Sequence, residues 1–133
     1  MTPQESLIYT MVMVAAADRD LNAKETARLQ SLVGHLPAFR SFDSRKLPQV
    51  AEACAKLLAG KAGLERTLAA IKKALPERLA TTAYALACDM VAADGTVALE
   101  EMTLLDMLAD TLEIDRLDQA AIQFAAGARY RKT

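Results

Sequence analysis

Apolar residues return along this chain at the three- and four-residue spacing of one face of an α-helix, and short polar or proline-bearing breaks separate the runs. Thr2-Pro3-Gln4-Glu5 reads as a capping box with proline at the first helical position. Leu7, Ile8, Met11, Val12 and Ala15 then predict one apolar face on a first helix that stops near Ala17. Asp18-Arg19-Asp20-Leu21-Asn22 reads as a loop. Asn22 with Glu25 forms the capping box of a second helix, whose stripe is Leu29, Leu32, Val33 and Leu36 and which Gly34 and Pro37 bring to an end. Asp43 or Ser44 caps a third helix with Pro48 in its first turn, running through Val50, Cys54, Leu57 and Leu58 to Gly60. A fourth covers Leu64 to Leu75. Pro76 opens a long fifth bearing Leu79, Ala83, Leu86, Ala87, Met90 and Val91, which Asp94-Gly95-Thr96 breaks. Leu105, Leu108 and Leu112 mark a sixth. Asp115 caps a seventh with Leu117, Ala121, Phe124, Ala125 and Ala128, after which the tail Arg129-Tyr130-Arg131-Lys132 is expected to fray. The expectation is an all-α fold of about seven short helices in one compact bundle, a single domain over residues 1–133.

Composition agrees with the pattern. The 133 residues include 27 Ala and 19 Leu, with 5 Gly, 4 Pro and no Trp. Ala and Leu lose little side-chain freedom in a helix, whereas a sandwich or barrel needs β-branched strands and many turn residues. No apolar run approaches the ~20 residues that cross a bilayer, and the N-terminus lacks the basic start and apolar stretch of a secretory signal. Cys54 and Cys88 stand far apart with no CxxC, which is neither a zinc framework nor a disulfide scaffold. A reduced, cytoplasmic protein is the economical expectation.

Charge changes the picture more. The formal net charge is −1, yet residues 39–78 carry nine basic and four acidic side chains, and residues 89–118 carry nine acidic and one basic. An acidic region of this size attracts cations or basic partners. The basic segment carries no nucleic-acid motif and no aromatics interleaved as stacking platforms, so no nucleic-acid partner is expected.

An internal repeat is the most informative feature. Val14-Ala15-Ala16-Ala17-Asp18 returns as Met90-Val91-Ala92-Ala93-Asp94, followed in both copies by an apolar residue (Leu21, Val97), a glutamate (Glu25, Glu101) and paired leucines (Leu29 with Leu105, Leu32 with Leu108). Each half is thus a helix, an Asp-bearing loop, and a helix with Glu in its first turn. A tight helix-loop-helix brings Asp and Glu together on one cation or one buried donor, and oxygen-only ligands suit a hard ion such as Ca²⁺ or Mg²⁺. Asp89 can approach the second loop from the preceding helix. An EF-hand does not fit. Asp18, Asp20 and Asn22 match its first ligands, but Ala23 and Leu29 stand where the glycine and the bidentate glutamate belong.

Ala92-Ala93-Asp94-Gly95-Thr96-Val97 with Glu101, and its partner Ala16-Ala17-Asp18 through Glu25, resemble the TerB-like tellurite-resistance family, a domain also found at the N-terminus of DjlA-type membrane co-chaperones. The resemblance implies an all-helical cytoplasmic domain whose acidic residues form a metal-binding surface, associated with tellurite resistance and stress response, with no established reaction. Asp94, Glu101, Asp18 and Glu25 carry over as the family's acidic positions, and Asp89 less directly. Two departures stand out. Arg19 replaces the loop glycine and offers Asp18 or Asp20 an ion pair, and Ala98 leaves Glu101 without a capping-box partner, so Glu101 is less simply explained as a cap.

Three classes of function follow. The first, and the leading expectation, is a divalent-cation-binding helical module with metal residues Asp94, Glu101, Asp89, Asp18 and Glu25, no organic cofactor, and a protein partner to which it passes the bound state. The second is a metal-independent interaction domain whose acidic face docks a basic protein. The third, an enzyme using paired carboxylates, lacks an accompanying nucleophile, histidine base or phosphate-cradling loop, so no catalytic residue is assigned. A monomer or weak dimer without membrane insertion is expected. The cysteines and internal methionines read as core filling, and His35 as a residue compatible with a helix C-terminus.

Overall fold

The first helix of the chain is the centre of the structure. A computed structural model describes residues 1–16, 21–93, 95 and 97–133. In it α1 (Pro3–Ala15) buries nine side chains, among them Leu7, Ile8, Met11, Met13 and Val14. The predicted single apolar face is therefore too narrow. A helix apolar all round is a helix with neighbours all round, and α1 lies against α3 (Leu47–Ala59), α4 (Gly63–Ala74) and α5 (Ala80–Ala92). Its two buried hydroxyls are satisfied locally: Ser6 Oγ donates to the Pro3 carbonyl at 2.6 Å and Thr10 Oγ1 to that of Ser6 at 2.9 Å.

The remaining elements are α2 (Ala23–His35), α6 (Leu99–Thr111) and α7 (Arg116–Arg129), with 3₁₀ turns over Pro37–Phe39, Ser44–Lys46 and Glu77–Leu79. Seven helices and no strand form the described chain, the all-α bundle read from the sequence. Among the described residues no helix is long and apolar enough to cross a membrane. The pseudo-repeat is real at the level of helices: α1, α2, α5 and α6 are each 13 residues long. The first helices of the two halves, α1 and α5, make the most extensive contact in the molecule.

Local expectations are adjusted at four places. Asp43 accepts from the Arg45 backbone N–H at 3.0 Å, so it caps the 3₁₀ turn ahead of α3 and not α3 itself. Pro76 likewise precedes a 3₁₀ turn, and α5 begins four residues later, at Ala80. Asp115 occupies the N-cap position of α7 without a side-chain cap bond. The C-terminal tail leaves helical geometry at Tyr130 and residues 131–133 are exposed, but three of its side chains have partners. Arg129 pairs with Asp89, the Arg28 guanidinium lies 5.7 Å from the Tyr130 ring centroid, and that of Arg131 5.6 Å from the Phe124 ring.

The approach of α3 and α4 depends on one glycine. A Cβ on Gly63 would lie 2.0 Å from the Leu58 carbonyl oxygen, a backbone atom that cannot swing away. Beneath, Cys54 and Cys88 are buried free thiols, as expected of core residues. Burial pushes Cys54 up to about 12 and Cys88 to about 11, so neither is a thiolate near neutrality.

Candidate functional site

The acidic positions of the repeat fall into three situations. Asp18 and Asp94 lie outside the described residues. Glu25 and Glu101 occupy the same place in their two helices, the third residue of α2 and of α6. Glu25 Oε1 accepts from the Asn22 N–H at 3.0 Å while Asn22 Oδ1 accepts from the Glu25 N–H at 2.8 Å, a closed capping box with Glu25 only 2% exposed. Glu101 Oε1 accepts from the Ala98 N–H at 2.9 Å. Ala98 has no side-chain acceptor to return the bond, so Glu101 makes half of a capping box. The missing partner at Ala98 thus leaves Glu101 with a structural task after all, because a backbone N–H needs no particular side chain on its own residue.

Asp89 sits on α5 with its carboxylate accepting from Arg129 Nη2 of α7, its side chain 14% exposed. That hydrogen bond holds the Arg129 guanidinium above its ordinary pKa. The pair clamps the C-terminal turn of α7 onto α5 and occupies the carboxylate that sequence reasoning directed at the second loop. Spacing along α5 gives no hint of this contact, since the partner is 40 residues away. Gly95, in the second loop, has φ +80°, a left-handed conformation that favours glycine. Its N–H closes the turn on the Ala92 carbonyl at 3.0 Å.

Fit to a divalent cation follows from the donor set. Carboxylate oxygens suit a hard ion; Glu101 keeps one oxygen uncommitted to a described residue, whereas Asp89 is already matched by a cation. Among the described residues no three His, Cys, Asp or Glu side chains gather to hold a metal.

A second surface was invisible in the sequence pattern. The predicted α7 stripe faces outward: Leu117 is 75% and Phe124 69% exposed, and the face turned to α5 is Ile122, Ala126 and Arg129. Gln123, on the edge of that face, donates to the buried Tyr84 hydroxyl at 2.6 Å. The stripe and the seam lie on different sides of α7 because the seam is made by small and polar residues that no hydrophobic count selects. On α6, Leu99 and Met102 are also exposed, so Met102 is no core filler, while Leu105 and Leu108 point inward as expected. Exposed Glu100, Asp106 and Asp110 share this outer surface of α6, and no Lys or Arg among the described residues pairs with them.

His35 Nδ1 donates to the Ser31 carbonyl at 2.7 Å, in the last turn of α2 where an imidazole suits the helix dipole.

The chain finds no match among curated proteins or among solved structures. A family model described as tellurite resistance protein TerB matches residues 4–123, from the first turn of α1 through most of α7. That span takes in both copies of the repeat and every helix of the bundle, and this chain therefore belongs to the TerB tellurite-resistance family.

Proposed function

We propose that this TerB-type domain works by binding, as a protein-interaction module whose outer α6 surface docks a basic partner in a tellurite or stress response. One observation carries the reading. α6 keeps Asp110 in its last turn, with no basic residue in that turn. A negative charge there opposes the helix dipole. Asp106, one turn earlier, repels Asp110 as an i,i+4 like-charged pair. The fold gains nothing from either charge, and a basic surface brought against them would relieve their repulsion. Among the described carboxylates of the repeat, Glu25 and Glu101 each accept from a helix N-terminal N–H and Asp89 binds Arg129. The reading is tested by pulling down partners with wild type and with an Asp106→Lys/Asp110→Lys double variant at low and high salt. A specific partner lost by charge reversal and weakened by salt supports it. A partner retained by the double variant counts against it.

A second reading has its own support. The matched placement of Glu25 and Glu101, with an oxygen of Glu101 not bonded to any described residue, suits a Ca²⁺ or Mg²⁺ site that Asp94 would complete, in which the ion relieves carboxylate repulsion and draws α5 and α6 together. Thermal unfolding in EDTA and then in millimolar Ca²⁺, Mg²⁺ or Mn²⁺ tests it. A rise with one ion, absent in Asp94→Asn and Glu101→Gln, supports the site. No shift with any ion removes it.

A further inference from the structure

α6 and α7 both pack on α5 but scarcely touch one another. Between them lies a trench of about 190 Å³ lined chiefly by Val97, Met102, Leu105, Ala126 and Gly127, with Asp106 on its wall. Ala92, Val97 and Gly127 line the trench and also a second depression beside it, whose walls include Tyr130, Arg131 and Lys132. The floor is apolar, one end is acidic and the other basic.

Gly127 lies within α7 and a Cβ built there meets no heavy atom within 4 Å. Glycine weakens a helix relative to alanine, and among the described residues nothing crowds a side chain at Gly127, as at Gly34 in α2 and in contrast to Gly63. The space above Gly127 is open, and unlike Gly34 it borders the trench. Exposed Val97 and Met102 beside it add apolar surface that the fold leaves in water.

We infer that this trench receives an amphipathic helix of a protein partner, one large apolar side chain seated over Gly127. A helix lying in an apolar groove between two helices is a recurrent recognition mode. The charges set its direction. The positive N-terminal end of the partner helix, with its Lys or Arg, lies against Asp106, and its C-terminal end lies toward Arg131 and Lys132. The inference rests on the docking reading above and names its partner's shape and orientation.

The test uses two labelled, stapled helical peptides about five turns long. Both have a leucine face around one central Trp. One carries Lys in its first two turns and Glu in its last two, and the other has these reversed. Fluorescence anisotropy should show wild-type protein binding the Lys-first peptide more tightly than its reverse. Gly127→Leu, which fills the trench, should weaken that binding tenfold or more. Gly127→Ala, the folding control, should raise the melting temperature by about 2–4 °C. Equal binding by wild type and Gly127→Leu overturns the trench. If Asp106→Lys then still weakens binding, charge-based docking survives without it. No binding of either peptide to wild type overturns the trench inference, while the docking reading stands or falls on its own charge-reversal test. Sedimentation of the protein alone should give a monomer. A dimer dissolved by Gly127→Leu would seat a second copy of the chain in the trench and overturn the assignment to a partner helix.

Discussion

Asp110 offers the sharpest quantitative test, because the structure makes its charge a burden on the free protein. It sits in the last turn of α6, exposed, four residues after Asp106. An anion at a helix C-terminus costs about 0.3–1 kcal/mol. The i,i+4 repulsion adds about 0.2–0.5 kcal/mol. Asp110→Lys removes both and substitutes a favourable cation, for a gain of about 1–2 kcal/mol. With an unfolding entropy of about 2.1 cal/mol/K per residue, that is a rise of about 4–7 °C in melting temperature for 133 residues. Lysine is also a better helix former than aspartate, so Asp110→Asn, close to aspartate in propensity, isolates the charge and should give about half the rise. Circular dichroism melts in 20 mM and in 500 mM NaCl would read both variants. The Asn gain should shrink at high salt, where the Debye length falls to about 4 Å. A fall in melting temperature at low salt, or an Asn gain indifferent to salt, refutes the argument and gives Asp110 a stabilising role in the fold.

Other outcomes follow from the packing and the ion pair. Gly63→Ala should destabilise by about 1–3 kcal/mol in urea unfolding, because its methyl meets the Leu58 carbonyl; this is the opposite sign to alanine at Gly127. Asp89→Asn should cost about 0.5–2 kcal/mol and loosen the end of α7, which faster amide exchange over residues 126–130 would report. Cys54 and Cys88 should resist a thiol reagent at pH 8 and react once guanidinium unfolds the chain. Burial raises both thiols, so their contribution to stability is present below the unfolded value near 9 and is lost as pH rises from about 9 toward 11–12. A Cys54→Ala/Cys88→Ala variant should show a flatter alkaline limb in the same pH series.

Much of the architecture was legible because it depends on local chemistry. Helix starts at Pro3 and Ala23 follow from capping boxes whose bonds close within four residues, and the repeat placed Glu25 and Glu101 at equivalent positions before any contact was known. The all-α class follows from Ala- and Leu-rich runs that have no alternative periodicity. Tertiary structure decided the rest, because which face of a helix is inside depends on what lies beside it. α1 is buried all round only because three helices surround it, and the leucine–phenylalanine stripe of α7 faces outward because α5 is met by Ala126, Gln123 and Arg129. The same holds for the charges. Asp89 reads as a loop ligand along the chain and becomes half of a clamp once Arg129, 40 residues away, is brought across α5. An open trench over Gly127 has no sequence signature at all, since it is the gap left where two helices each pack on a third and not on one another.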